Sequence, residues 1–245
     1  MTTRTCISPA SAIAHSLLAV ALALPVQPAG AATVTVSSAR DLAEAGLVDV
    51  GRAIPGLDLD IRYAGPDNFT AAPVPGYEAP RCYLLAPVAA ALARVQADLR
   101  RDGFALRIYD CYRPVRAVQA FVAWAHDPSE QSRKALQYPQ LDKPDLLDGY
   151  IAGTSGHSRA ATVDLTLLDC RAGPCTALDM GTGFDFFGAR AHTDAPDISA
   201  AQRAHRQQLL RAMQRHGFAN YPLEWWHYTL QPEPSPTTAY DIPVR

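Results

Sequence analysis

The strings SGHSRAATVD (155–164) and EWWHY (224–228) restrict the folds open to this chain more than any other feature. Between them they hold two imidazoles, His157 and His227, one short carboxylate, Asp164, and one longer carboxylate, Glu224. Three protein ligands, an open position for water and a spare carboxylate to take the water's proton make up a catalytic zinc site. The fold must therefore carry two strings that lie far apart in sequence to one place. A third string, DCYRP (110–114), offers Arg113 at the mouth of a turn, where it would hold developing negative charge.

Each motif taken singly has a plainer explanation. His157 follows the small-residue turn Gly153–Gly156, and a lone histidine there is more often a surface residue than a ligand. Asp164 alone is an ordinary strand carboxylate, but TVDLTLLD (162–169) alternates cleanly. Val163, Leu165 and Leu167 face the core, while Thr162, Asp164 and Thr166 share the other face. The H-x6-D pair thus runs from a turn onto the polar side of a strand. ExxH at Glu224–His227 is weak by itself, and an aromatic core strand with a satisfied histidine explains it equally well. Residues three apart on an ideal strand point to opposite faces, so both reach one metal only through a twist or bulge. Arginine most often pairs with a nearby acid, here Asp110, or with a helix end. Pro114 biases Arg113 away from helical geometry and holds it in the turn.

If the metal is zinc, Asp164 cancels one of its two charges and the neutral imidazoles cancel none. The remaining charge polarises a bound water toward a pKa of about 7, and Glu224 is placed to receive its proton.

Elsewhere the pattern mixes strands and helices without strict alternation. LDLDIRYA (57–64) reads as a strand and GPDNFTAAPVPGYEAP (65–80) as an ordered loop. A helix runs from Pro87 to Arg101 with Val88, Leu92, Val95 and Leu99 inward, stopped by Gly103. ALRIYD (105–110) is a strand, and a second helix spans Pro114 to Ala125. Residues 127–150 hold a short helix and a loop. Ser199 and Gln202 form a capping box for a helix over 200–216, where His216 suits the negative end and Gly217 the stop. LEWWHYTL (223–230) is a last strand. The expected class is α+β, with a mostly antiparallel central sheet and flanking helices.

The chain has 245 residues, 22 basic and 24 acidic, with no basic block, so nucleic acid is not an expected partner. Residues 1–32 have the layout of a cleavable leader: Arg4 as the only charge, the apolar run LLAVALALPV (17–26), then small residues to Ala32. The run is short for a membrane span, which takes about 20 apolar residues. Cys6 lies too early for a lipid anchor. The expectation is a periplasmic or secreted protein with one domain over 33–245 and no anchor once the leader is cut. Removal of the leader leaves Cys82, Cys111, Cys170 and Cys175, an even number in an oxidising space. CRAGPC (170–175) reads as a hairpin tip closed by its own bridge, leaving Cys82 to pair with Cys111.

DCYRPVRAV, SGHSRAATVDLTL, MGTGFDFF and LEWWHYTLQPEPSP, with YAGPDNF and PVPGYE before them, resemble the zinc D-alanyl-D-alanine dipeptidases of the vancomycin-resistance type. The likeness runs in order from residue 57 to the end. It implies a D,D-peptidase/hedgehog-like zinc fold holding one zinc ion on His157, Asp164 and His227. Glu224 is then the general base and Arg113 the transition-state cation. Tyr63 and Asp185 match positions associated with the substrate's free amine, and Ser155 a serine beside the substrate. The implied substrate is a small dipeptide such as D-Ala-D-Ala. A cell-wall carboxypeptidase or endopeptidase on the same chemistry is the alternative, and a non-enzymatic zinc module a third. The chain has Ala71 and Ala160 where the family often has glycine, and Thr162 where it has alanine.

Overall fold

The alternation in TVDLTLLD becomes the strand Thr162–Asp169, the centre of a six-stranded sheet. Val163, Leu165 and Leu167 are fully buried in the core, and Thr162, Asp164 and Thr166 are nearly as buried on the opposite side. Phe104–Asp110 and His227–Leu230 flank this strand, both antiparallel to it. Phe218–Asn220 extends the sheet beyond His227–Leu230, and Thr176–Ala177 pairs with the end of the central strand. Asp58–Leu59 lies parallel to Phe104–Asp110 at the far edge, so the sheet is mostly antiparallel. These are the features of a computed structural model that describes residues 1–3 and 33–245. The leader expected over 1–32 lies, but for its first three residues, outside the described part. Residues Thr33–Arg245 form one compact unit, and no helix among the described residues is long and apolar enough to cross a membrane.

Helices cover the sheet where the 3.6-residue pattern places them. Ala86–Arg101 buries Val88, Leu92, Val95 and Leu99. Val115–His126 buries Val118, Phe121 and Ala125. Ala200–Gln214 starts at Ser199, whose hydroxyl accepts the Gln202 amide while Gln202 returns a bond to the Ser199 amide. His216 does not serve that helix's end; it bonds Asp98 on Ala86–Arg101 at 2.8 Å. Residues 127–150 hold two short helical segments, Lys134–Gln137 and Lys143–Leu147. The disulfides are Cys82–Cys111 and Cys170–Cys175.

Two expected strands are shorter than their alternation suggests. Only Asp58–Leu59 of 57–64 is extended, and Arg62–Ala64 turns into a 3-10 segment. Asn68 draws the chain round by donating to the carbonyls of Gly65 and Ala72 at 2.7 and 2.9 Å. That turn points Tyr63 inward. Likewise His227–Leu230 is the only extended part of 223–230. The residues before it leave the sheet because Trp225 gives its amide to Ala191 and His227 gives its amide to Glu224.

Candidate active site

Three neighbouring strands place Asp110, Asp164 and His227 in one row across the sheet. An irregularity between Ile108 and Asp110 shifts the register so that Asp110 faces Asp164. Such a bulge re-aims a side chain at the end of a pairing. His157 reaches the same row from the 3-10 turn His157–Arg159, which closes when the Ala160 amide returns to the His157 carbonyl. Glu224 joins because the backbone bond from His227 to Glu224 makes 224–227 a turn. Residues that an ideal strand would set on opposite faces therefore lie on one side. Asn220 fixes this turn, donating to the carbonyls of Glu224 and His227 at 2.9 and 3.0 Å.

Donor atoms converge here. His157 Nε2 lies 3.2 Å from Asp164 Oδ2, and His227 Nδ1 lies 3.1 Å from Asp164 Oδ1. The two imidazole nitrogens are 3.3 Å apart. His157 Nδ1 is 2.6 Å from the Cys111 carbonyl, which can only accept, so Nδ1 carries the hydrogen and Nε2 presents its lone pair inward. Asp164 Oδ1 is buried without a hydrogen bond; the nearby His227 nitrogen is close but not aligned to donate. A cation between these atoms would satisfy both the orphaned Asp164 oxygen and the inward lone pair of His157. The chemistry of the set, two imidazoles and one carboxylate, fits zinc.

Arg113 does pair with Asp110, at 2.9 Å, and also lies 3.6 Å from Asp164 Oδ2. The acid partner steers the cation toward the site and does not divert it. Asp110 is fully buried, and Tyr77 donates to its other oxygen at 2.6 Å. The Arg113 guanidinium rests on the rings of Tyr63 and Phe121. No motif signalled Asn220, and Tyr77 lies in the quoted PVPGYE string without a role being read for it; Asp110 opens the DCYRP string but reads there only as a pairing acid.

A cavity of about 270 Å³ opens on these groups, at the small end of the range of about 300–1,000 Å³ usual for ligand sites. Arg113, Ser155, Glu224 and His227 line it, with Tyr63 and Asp185. Tyr63 donates to both oxygens of Asp185 at 3.1 and 3.0 Å. Asp185 holds a left-handed backbone, φ 58°. Burial, reinforced by Asp164 and Glu224, pushes its carboxyl well above the usual carboxylate range. Burial also lifts Glu224 to about 7, with Asp164 adding to the rise against His227 and Arg113. Asp164 goes the other way: burial would raise it, but the facing imidazoles outweigh that and hold it well below the usual range. Ser155 accepts the His157 amide at 3.2 Å, tying cavity wall to candidate ligand.

The family model described as D-ala-D-ala dipeptidase matches residues 43–245. The chain belongs to this family. The D-alanyl-D-alanine dipeptidase of Streptomyces coelicolor is 43% identical over 80% of this chain and 96% of its own length. That of Enterococcus faecium is 37% identical over 82% and 100%, and that of Escherichia coli 32% over 75% and 84%. The solved vancomycin-resistance D,D-pentapeptidase VanY, a mutant with Zn(II), is a distant likeness: TM-score 0.38 and 18% identity, covering 64% of this chain and 77% of that one. As a dipeptidase-family member the protein is an enzyme. Both positions where a glycine was expected, Ala71 and Ala160, hold left-handed backbone, φ 58° and 56°. Glycine adopts that region freely and alanine does not. The Thr162 hydroxyl is accommodated by pairing with Thr229 at 2.8 Å. It packs against Gly156, where an added Cβ would come within 2.6 Å of it.

Proposed function

We propose that this enzyme hydrolyses D-Ala-D-Ala, or a dipeptide of similar size, with one zinc ion held by His157, Asp164 and His227. The observation that carries the reading is the buried Asp164 carboxylate between two imidazole nitrogens, Oδ2 toward His157 and the unbonded Oδ1 toward His227. Zinc, when bound, supplies a Lewis acid and a water whose pKa falls to about 7. Glu224, its Oε2 3.4 Å from His227 Nδ1, takes the attacking water's proton and hands it to the leaving amine. Arg113, fixed by Asp110, stabilises the oxyanion of the tetrahedral state. Asp185 and Tyr63 receive the dipeptide's ammonium group, whose charge offsets the cost of ionising a buried carboxylate. The same pair, lining the cavity, would in this reading exclude longer chains, which disfavours an endopeptidase or carboxypeptidase.

The enzyme is proposed to act outside the cytoplasmic membrane on dipeptides released from cell-wall material. The layout of residues 1–32 supports this, as do two disulfides, which persist in oxidising compartments. The direct test is purified protein with zinc, offered D-Ala-D-Ala, L-Ala-L-Ala and a longer peptide ending in D-Ala-D-Ala. His157→Ala and His227→Ala should lose the metal. Glu224→Gln should keep it and lose about 10²–10⁴ in rate. Arg113→Ala should lower kcat by about 10²–10³. Full zinc occupancy in the histidine variants, or near wild-type turnover in Glu224→Gln, would refute the assignment.

A further inference from the structure

Asp185 sits within a loop whose two ends are held by one side chain. Arg206, on the helix Ala200–Gln214, is 1% exposed. Its Nε donates to the Met180 carbonyl at 2.7 Å, Nη1 to His192 at 2.6 Å and Nη2 to Arg190 at 2.9 Å. Met180 on one side and Arg190 and His192 on the other bracket Asp185 in sequence. A planar guanidinium is suited to such a three-way tie, because its donors lie in a fixed fork. Burial, with Arg190 and Arg203 nearby, pushes this guanidinium down to about 10, which still leaves it charged at neutral pH. Keeping a charge in the interior is costly unless its donors are paired, and here each of the three nitrogens donates to a carbonyl.

Neighbouring contacts grip the same loop. Gln202 donates to Asp179 Oδ2, and His205 Nδ1 meets the Asp179 carbonyl, each at 2.8 Å. Gln202, His205 and Arg206 share one helix face by their spacing. Trp225 Nε1 donates to Thr182 Oγ1 at 2.8 Å, joining the loop to the segment that carries Glu224. The apex needs such support. Asp185 combines a left-handed backbone with a buried carboxylate turned toward Tyr63. Both are costly and persist only where the surroundings impose them.

We propose that Arg206 is a positioning residue for the ammonium subsite. By tying Met180 to Arg190 and His192, it sets where the Asp185 carboxylate stands, and so how well the enzyme holds a free amine and rejects an N-blocked peptide. The inference rests on the reading of Asp185 as the ammonium partner. It concerns substrate binding and leaves the groups around Asp164 in place.

The test uses the zinc-loaded enzyme and its Arg206→Lys and Arg206→Gln variants, with Asp185→Asn beside them. Steady-state kinetics are measured on D-Ala-D-Ala and N-acetyl-D-Ala-D-Ala, and amide hydrogen exchange is followed along the chain. Lysine carries the charge but not the fork. In both Arg206 variants KM for D-Ala-D-Ala should rise about tenfold, equivalent to about 1.4 kcal/mol, with kcat and zinc content little changed. Preference for the free amine over the acetylated substrate should shrink. Amides of 180–192 should exchange faster while those of 104–110 and 162–169 do not. Unchanged KM and exchange would overturn the inference, as would loss of kcat and KM together. Global unfolding of both variants would also overturn it, since the guanidinium would then hold the whole fold and not the loop. If Asp185→Asn leaves KM unaltered, the ammonium reading itself falls. If Asp185→Asn raises KM and the Arg206 variants do not, the Arg206 inference alone falls.

Discussion

Glu224 and Asp185 are carboxylates that burial holds above their ordinary range, and both lose their proposed roles as pH falls. Protonated Glu224 accepts nothing from water, and neutral Asp185 offers no charge to an ammonium. On the alkaline side the dipeptide's own amine, with a pKa of about 8, loses its proton and its attraction to Asp185. The profile of kcat/KM should therefore be a bell. The part of its acid limb that Glu224 sets should lie at or below about 7, because a bound cation pulls Glu224 downward from the value in the metal-free site. A profile flat from mildly acid to neutral pH would contradict these assignments. Ala160 carries a different lesson. Left-handed backbone costs an L-residue roughly 1–2 kcal/mol, while glycine's extra freedom in the unfolded chain returns about 0.4–1 kcal/mol of that. Ala160→Gly should raise stability by up to about 1 kcal/mol, or about 2–4 °C in Tm. Thermal unfolding of the two proteins side by side checks it, and a fall in Tm would show that the buried Ala160 methyl outweighs the strain relieved.

At the scale of elements, the turn 224–227 decides whether base and ligand share a side. Asn220, from the strand Phe218–Asn220, bridges that turn's two carbonyls, and Thr193 donates in turn to Asn220 Oδ1. Asn220→Ala removes the bridge without touching any donor atom of the metal set. Zinc affinity should fall about 10–100-fold, the usual cost of losing a group that orients ligands. Competition against a chromogenic chelator measures this, and wild-type affinity would mean the turn holds itself. The Cys82–Cys111 disulfide acts on the other ligand, since the Cys111 carbonyl fixes the His157 ring.

At the scale of the molecule, the C-terminal segment ties the site's two turns together. Tyr240 donates its amide to the Ser158 carbonyl and accepts the Val115 amide at its own carbonyl, and Ile242 exchanges bonds with the Tyr112 hydroxyl. The turns carrying Arg113 and His157 are thereby braced by residues far away in sequence. The proposal that the whole protein works outside the cytoplasm is tested by fractionation. Expressed with residues 1–32 in place in a vancomycin-sensitive host, it should put dipeptidase activity in the periplasmic or secreted fraction and leave sensitivity unchanged. An exported enzyme cannot drain a cytoplasmic pool. Activity confined to the cytosol, on a chain with an uncleaved N-terminus, would reverse that reading.

Much of this protein was legible in its residue pattern. Helices such as Ala86–Arg101 and the strand Thr162–Asp169 follow from periodicity, because burial of one face is a local consequence of spacing. The candidate donors His157, Asp164, Glu224 and His227 were visible because few residue types can do that chemistry. What spacing could not reveal was set by backbone bonds to distant partners. The alternation in 57–64 and 223–230 is real, yet Asn68 and Ala191 pull those backbones out of the sheet. Asn220 and Arg206 are common residue types in unremarkable surroundings, so no pattern marks them, and Tyr77 lies in PVPGYE with nothing in that string to reveal its partner. Their roles come from which carboxylate or carbonyl they meet, and only the folded chain decides that.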